Sequence, residues 1–314
     1  MLTSKKIVCI GSVTADVLIT PVDAFPAPGT IKNIDSASLH VGGCAANSAM
    51  DLAKMGLPVK VIFKLGKDAF SEFVTKAIAD TGIDTGGISY DESVATTTSI
   101  GCIASNGERC FLYSPGSTAV FGSDDINRSY IDDCDIVFIA GTNIISKFDG
   151  KECAEFLKEM QEKGNFTALD TAWDFEDVWL NKVKDSIKYL DLFMPSIDEA
   201  AKITGLDDHK KMADMFFKLG AKSVIIKLGK KGAYICENFN TRYISESIPV
   251  KKVKDTTGAG DAFCAGFLAG LALGWNYKKS ARLANAAGAY CVMEIGACTG
   301  LKPIEEIINF MEEQ

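Results

Sequence analysis

Histidine is scarce in this chain of 314 residues, which contains only His40 and His209. Two histidines leave almost no material for a Ser/His/Asp triad or a histidine metal site. His209 stands in a charged segment typical of a solvated helix start. His40 precedes a pair of glycines, where a hydrogen-bonded structural role is the simpler interpretation and a substrate contact is the alternative.

Basic residues are also outnumbered, since 33 lysines and arginines face 41 acidic residues and give a net charge of −8. Nucleic acids and anionic membranes are bound through clustered Lys and Arg, so neither is an expected partner. An anionic ligand such as a nucleotide would have to be held locally, by backbone N–H groups, a few cations and Mg²⁺.

The chain lacks C-x-x-C pairs and long apolar runs. Five of its ten cysteines stand in apolar segments, as buried reduced thiols do: Cys9, Cys102, Cys134, Cys264 and Cys291. Residues 1–6 lead into a short strand rather than into the core of a signal peptide, and no apolar run approaches the length of a membrane span. We therefore expect a soluble, cytoplasmic protein with no membrane partner.

Two common nucleotide-binding motifs are missing. The P-loop pattern G-x-x-x-x-G-K-[ST] occurs nowhere in the chain. The dinucleotide pattern G-x-G-x-x-G fails as well, because Gly258-Ala259-Gly260 has Phe263 at the sixth position and comes far too late in the chain. P-loop kinases and Rossmann dehydrogenases are therefore excluded.

The most informative stretch is the glycine-rich turn at residues 254–261, which leads directly into the apolar run Ala262–Leu273. Small residues that end where a helix begins leave backbone N–H groups free at the helix N-terminus. Here these are the N–H groups of Gly258, Ala259 and Gly260, a suitable site for a phosphate or another anion.

Asp261 stands at the mouth of this anion hole, where a carboxylate would repel the bound anion. A carboxylate that accepts a proton from an attacking hydroxyl has a reason to be there, and the helix dipole keeps it ionised. The alternative is a first-turn Asp that only complements the dipole. We favour a general base because four small residues come directly before Asp261.

Two motifs resemble the signatures of the ribokinase-like (PfkB) carbohydrate kinases. Residues 255–268, which read Asp-Thr-Thr-Gly-Ala-Gly-Asp-Ala-Phe and continue to Ala265-Gly266-Phe267-Leu268, are similar to the C-terminal signature. Residues 42–49, followed by Gly56 and Gly66 at the family's spacing, are similar to the N-terminal signature. The resemblance extends from Ile7 to about Phe310.

This resemblance implies an ATP-dependent sugar kinase that transfers the γ-phosphoryl group to a primary hydroxyl of a ribose- or fructose-like sugar. Asp261 would be the general base, and the turn Gly258–Gly260 with Mg²⁺ would stabilise the transferring group. A nucleoside kinase of the same fold shares both motifs and is one alternative. A non-catalytic sugar- or nucleotide-binding protein is the other, although it would have no use for Asp261.

Strands and helices alternate along most of the chain, which predicts an α/β fold with an open, mostly parallel sheet and helices on both faces. Residues 1–314 are expected to form one domain. Two strand-rich segments around Asn106-Gly107, a hairpin signal, interrupt the alternation. By resemblance, segments of about 12–41 and 94–118 form a small β-sheet lid over the sugar that is often used for homodimerisation. Residues 21–41 are expected to be irregular.

The resemblance also assigns binding residues. The sugar would be bound by five residues, of which Arg109 lies on the lid: Asp16, Gly42, Gly43, Asn47 and Arg109. ATP would be bound by four residues after the later strands: Lys227, Gly229, Gly232 and Asn285.

Two further assignments concern metal ions. Glu199 would organise Mg²⁺ through water, although Ser196 and Glu199 also form a capping box that explains both residues structurally. Asp255 and Thr257 would lend oxygens to a K⁺ beside the anion hole. The alternative is that Asp255 only accepts backbone N–H bonds within the turn.

Two departures from the family's pattern bear on the substrate. Ala172 and Asp174 stand after Asp170, where many sugar kinases of the family have Asn and Arg. Residues 113–117 lack the Arg that 2-keto-3-deoxygluconate kinases tend to place there, which weakens the case for an acidic sugar. The sequence leaves open the sugar or nucleoside, the phosphorylated carbon and the oligomeric state.

Overall fold

The computed structural model describes residues 4–106 and 108–313. Within these ranges the chain forms thirteen strands: β1 (Ile7–Gly11), β2 (Thr14–Thr20), β3 (Ser36–Gly42), β4 (Val59–Gly66), β5 (Ile88–Asp91), β6 (Thr98–Ile103), β7 (Arg109–Ser114), β8 (Ile136–Thr142), β9 (Phe166–Thr171), β10 (Leu192–Phe193), β11 (Val224–Lys227), β12 (Ala233–Cys236) and β13 (Arg242–Ser245). The same ranges contain ten α-helices: α1 (Cys44–Lys54), α2 (Ala69–Ala79), α3 (Gly116–Ala119), α4 (Lys151–Glu162), α5 (Leu180–Ile187), α6 (Ile197–Thr204), α7 (His209–Lys218), α8 (Ala259–Ala272), α9 (Tyr277–Cys291) and α10 (Ile304–Glu312).

The main sheet has the strand order β13-β12-β11-β10-β9-β8-β1-β4-β5. The strands from β11 to β5 are parallel, and β12 and β13 extend the sheet antiparallel. Successive side chains of a strand point to opposite faces. Along β1, Ile7 and Cys9 belong to one buried cluster and Val8 and Ile10 to another. The predicted open, mostly parallel sheet with helices on both faces is confirmed.

A second sheet, the lid, has the strand order β3-β2-β6-β7. Strands β6 and β7 pair antiparallel, as the hairpin signal predicts, although Gly107 of that signal lies outside the described residues. Within the segment predicted to be irregular, residues 21–35 contain no strand or helix but β3 already begins at Ser36. The exact lid boundaries, the single domain and the homodimer through the lid stay predictions.

The predicted capping box is confirmed. Ser196 and Glu199 form the capping box of α6, with Glu199 Oε2 accepting the Ser196 N–H at 2.9 Å and Ser196 Oγ accepting the Glu199 N–H at 3.3 Å. Helices α8 and α9 pack closely, since a Cβ at Gly266 would lie 2.8 Å from the Ala284 Cα.

All ten cysteines lie in the described ranges as free thiols, and the five predicted to be buried are buried. Within residues 4–106 and 108–313, no helix has the length and apolar character needed to cross a membrane.

Candidate active site

The glycine-rich turn ends at Gly258, which caps α8 with a φ of 78°. A Cβ at this position would lie 2.5 Å from the Ala297 carbonyl oxygen, so only glycine fits both the backbone angle and the space. The Ala259 N–H bonds the Thr256 carbonyl at 3.3 Å. Among the described contacts, the N–H groups of Gly258 and Gly260 have no acceptor within the protein. The turn therefore offers donors to an anion at the N-terminus of α8.

Asp261 lies in the first turn of α8, and its side chain is tied to the N-terminal motif. Asn47 Nδ2 donates a hydrogen bond to Asp261 Oδ2 at 2.8 Å, and Ser48 Oγ donates to the Asp261 carbonyl at 3.2 Å. Burial raises the pKa of Asp261 to about 6, and the bond from Asn47 opposes this rise. The carboxylate is thus mostly ionised at neutral pH and close to the pKa that suits a general base.

The predicted sugar-binding residues of the N-terminal motif meet at the start of the lid. Thr14 Oγ1 donates to Asp16 Oδ1 at 2.7 Å. A Cβ at Gly42 would lie 2.0 Å from Asp16 Oδ2, and one at Gly43 would lie 2.6 Å from the Val13 Cα. Gly42 is therefore needed where the chain passes the Asp16 carboxylate, and Gly43 where it passes the backbone of Ser12 and Val13. Burial raises the pKa of Asp16, with the bond from Thr14 opposing it.

His40 pairs with Asp16 across β2 and β3, and one of its ring nitrogens lies 2.8 Å from Ser38 Oγ. His40 therefore has the hydrogen-bonded structural role, which is the simpler of the two interpretations that its sequence position allows.

Lys227 lies under the anion hole and forms a buried ion pair. Its Nζ is 2.7 Å from each oxygen of Asp170, and a Cβ at Gly260 would lie 3.4 Å from that Nζ. Burial lowers the pKa of Lys227, but the Asp170 carboxylate more than offsets this, so the pKa is held well above its usual value. A permanent positive charge therefore lies directly behind the turn.

The predicted ATP-binding residues line one cleft of about 540 Å³. It opens beside Gly260, and its walls include Lys227, Gly229, Gly232 and Asn285 together with the apolar Ile248, Val250, Phe263 and Val292. Asn285 Nδ2 donates to Ser245 Oγ at 2.9 Å, which fixes the amide plane. A mostly apolar cleft that ends at an anion hole suits the base and phosphates of a nucleotide.

Glu199 lies at the carboxyl ends of the central strands. Its Oε2 accepts hydrogen bonds from Thr171 Oγ1 and the Ser196 N–H, each at 2.9 Å. The carboxylates of Asp170, Glu199 and Asp261 outnumber the one cation, Lys227, so the cluster has excess negative charge. No group of three or more His, Cys, Asp or Glu among the described residues is arranged to hold a metal directly. This donor set fits a hydrated Mg²⁺ held through water.

The two residues predicted to bind K⁺ are already engaged. Asp255 accepts the Thr257 N–H at 2.8 Å and the Gly296 N–H at 3.0 Å, as in the turn-capping alternative. The guanidinium of Arg109 contacts the Asp255 carboxylate and the Thr257 hydroxyl. A guanidinium on both candidate ligands repels a second cation, so these residues do not fit K⁺. Arg109, predicted to contact the sugar, makes its described hydrogen bonds to the turn instead.

Two residues near the site have no role assigned to them from the sequence. Tyr113, on β7, has a buried hydroxyl without a described partner, and it stacks on Phe175 with ring centroids 5.0 Å apart. Tyr113 and Arg109 are four residues apart on β7, so their side chains lie on the same face of the strand. This spacing is the sequence pattern that could have indicated Tyr113 as a site residue.

Asp174 is the other residue, and it stands where the family resemblance implies an Arg. It accepts three backbone N–H bonds from the loop that follows β9 and one from Lys182 Nζ at 2.8 Å. Asp174 therefore shapes this loop instead of reaching a ligand, and no local pattern in the sequence reveals that role.

Comparison with known proteins gives the family and the fold of this chain. The family described as pfkB family carbohydrate kinase matches residues 4–304. The 2-dehydro-3-deoxygluconokinase of Bacillus subtilis is 26% identical over 295 residues, which cover 91% of each chain. The structure of Arabidopsis thaliana ribokinase with ribose and ATP superposes with a TM-score of 0.86 at 22% identity, over 99% of each chain.

An E. coli protein assigned as ribokinase II, in complex with ATP and Mg²⁺, superposes with a TM-score of 0.84 at 22% identity, over 99% of this chain and 100% of that one. Both superpositions show the ribokinase-like fold. The chain belongs to the pfkB family of carbohydrate kinases, and it is an ATP-dependent phosphotransferase with an alcohol group as acceptor.

Proposed function

We propose that this enzyme transfers the γ-phosphoryl group of ATP to a primary hydroxyl of a neutral, ribose- or fructose-like sugar. The observation that supports this best is the 2.8 Å hydrogen bond between Asn47 and Asp261. It joins a residue of the sugar motif to a carboxylate at the anion hole, so the acceptor and the phosphates would meet at Asp261.

In this mechanism Asp16, Gly43 and Asn47 orient the sugar, with the Asp16 carboxylate accepting hydroxyl hydrogen bonds. Asp261 takes the proton from the attacking hydroxyl while its oxygen forms the new bond to the γ-phosphorus and the bond to ADP breaks. The N–H groups of Gly258 and Gly260 donate to the transferring group. Mg²⁺, held through water near Glu199, would neutralise charge on the phosphates.

A neutral acceptor is favoured because three cations at or near the site are already paired with carboxylates. Lys227 is paired with Asp170, Arg109 with Asp255, and Lys182 with Asp174 and Glu176. A sugar carboxylate would also meet the Asp16 carboxylate, and like charges at close range disfavour binding.

The test is a panel of acceptors assayed by initial rates of ADP release, with ketoses, aldoses, nucleosides and sugar acids at equal concentrations. We expect kcat/KM to be highest for a neutral ketose or aldose, at least tenfold above any sugar acid. A nucleoside with the highest kcat/KM would favour the nucleoside kinase alternative. No ADP release with any acceptor of the panel would contradict the proposed acceptor class.

Glu199→Gln should raise the Mg²⁺ concentration needed for half-maximal activity by roughly tenfold, the usual cost of losing a residue that orients a metal's ligands. The amide oxygen still caps α6, so the melting temperature should hardly change. Ser196→Ala is the control, because it removes one bond of the cap and keeps the carboxylate. An unchanged Mg²⁺ requirement in Glu199→Gln would leave only the capping role.

Monovalent salts should have little effect on rate. The Arg109 guanidinium already binds the oxygens that K⁺ would use, so we expect equal initial rates in potassium, sodium and tetramethylammonium chloride at matched ionic strength. Activation of several fold in potassium alone would contradict this and restore Asp255 and Thr257 as K⁺ ligands.

A further inference from the structure

The guanidinium of Arg109 binds three consecutive residues of the anion-hole turn. It contacts the Asp255 carboxylate and the Thr257 hydroxyl, and it donates to Thr256 Oγ1 at 2.9 Å. The side chains of Arg109 and Asp255 are only 23% and 7% exposed, so water screens the pair weakly. One side chain of the lid therefore holds the segment that leads into Gly258.

The same carboxylate supports the turn from two other directions. Asp255 accepts the N–H of Thr257 and that of Gly296. Burial raises the pKa of Asp255, but these bonds and Arg109 outweigh it, so the pKa is below its ordinary value. Because Thr257 directly precedes Gly258, any shift in these contacts moves the N–H groups that would bind the transferring group.

The face of β7 that carries Arg109 also carries a residue close to the sugar motif. It is the first residue of β7, and Tyr113 lies four residues further on, so both project from one face. Across the lid, Tyr113 is paired with Ser99 and Ser99 with Asp16, so the Tyr113 side chain projects from the same face of the sheet as Asp16 of the sugar motif. The inner face of β7 thus extends from the anion-hole turn to the sugar pocket.

Strand β7 is an edge strand of the lid, and within the described ranges it pairs only with β6. Its position over the cleft therefore depends on side-chain contacts: Arg109 on the turn at one end and the stack of Tyr113 on Phe175 at the other. A sugar that contacts the Tyr113 end would fix the strand, and with it the Arg109 end.

We propose that Arg109 is a positioning residue that couples sugar binding to the anion hole. The lid that covers the sugar places a guanidinium on Asp255, Thr256 and Thr257, and so fixes the turn for phosphoryl transfer. This inference rests on the proposed role of the turn in binding the transferring group. This coupling protects ATP from hydrolysis when no sugar is bound. An anion hole that is complete only under a closed lid does not promote phosphoryl transfer to water.

Steady-state kinetics of Arg109→Ala give the first test. We expect kcat with the best sugar to fall about 10- to 100-fold, the cost of a small misplacement of catalytic groups. Arg109→Lys keeps the charge but cannot reach three oxygens at once, so it should recover only part of the loss. Cys110→Ser is the matched control, because Cys110 is exposed on the outer face of the same strand, and it should keep the wild-type kcat.

Binding without turnover separates coupling from a structural role. Calorimetry in the wild type should show that the sugar tightens the binding of a non-hydrolysable ATP analogue at least fivefold, the lower end of typical coupling between sites. In Arg109→Ala this factor should fall to about one, with little change in the analogue's Kd alone or in Tm. Wild-type coupling in the variant, or no coupling in the wild type, overturns the inference. A wild type that couples its ligands but phosphorylates no sugar counts against the proposed function instead.

Discussion

Asp261→Asn is expected to lower kcat by roughly 10²- to 10⁴-fold, the usual contribution of a general base, while the Kd for ATP stays within about twofold. The amide has the same shape and can still interact with Asn47, so the site remains assembled and only proton acceptance is lost. Rapid-quench measurement of product formation at saturating ATP and sugar isolates the chemical step.

Two comparisons sharpen this prediction. Burial raises the pKa of Asp261 to about 6, so the wild-type kcat should fall as the pH is lowered through about 6, where the base becomes protonated, and Asp261→Asn should lack this dependence. Asp198→Asn is the matched control, since Asp198 is also a first-turn Asp but is exposed on α6. If Asp261→Asn loses no more activity than Asp198→Asn, Asp261 only complements the helix dipole.

Gly258→Ala is expected to lower kcat by about 10²-fold or more, as the loss of one oxyanion-hole donor does. Gly258 has a φ of +78°, and a Cβ there would lie 2.5 Å from the Ala297 carbonyl and 2.6 Å from the Ala297 Cα. Backbone atoms cannot move aside cheaply, so the turn must shift and its N–H groups lose their direction. Steady-state assays with the best sugar measure the effect.

Gly274→Ala provides a control with the same backbone strain and no collision. Gly274 has a φ of +76°, follows α8 and has no atom within 4 Å of an added Cβ. Both variants should lose stability to a similar extent from the strained φ, but Gly274→Ala should keep its kcat. Equal kcat losses in the two variants would show that Gly258 matters for folding rather than for the anion hole.

The parts of the site that lie within one motif could be predicted from sequence. Asp261 and the small residues before it form one turn, and the capping box of Ser196 and Glu199 spans three residues, so local patterns suffice. Short elements with weak patterns are harder to predict: β5 is four residues at the sheet edge without a clear alternation, and β13 has the same length.

Contacts between distant segments could not be predicted from one sequence. Arg109 reaches Asp255 across 146 residues, and Lys227 reaches Asp170 across 57. An exposed strand cation and a lid arginine that binds a catalytic turn have the same local pattern, and only the packing of the lid against the main sheet distinguishes them. The family resemblance assigned Arg109 to the sugar, whereas its described contacts are with the turn.

The most direct test of the proposed reaction is the ³¹P NMR spectrum of the product formed from ATP and the best sugar of the panel. Transfer to a primary hydroxyl attaches phosphorus to a CH₂–O group, so the new monoester signal should split into a triplet through its two neighbouring protons, in amounts equal to the ADP formed. A doublet would show transfer to a secondary hydroxyl, and inorganic phosphate alone would show hydrolysis. Either result would contradict the proposed reaction.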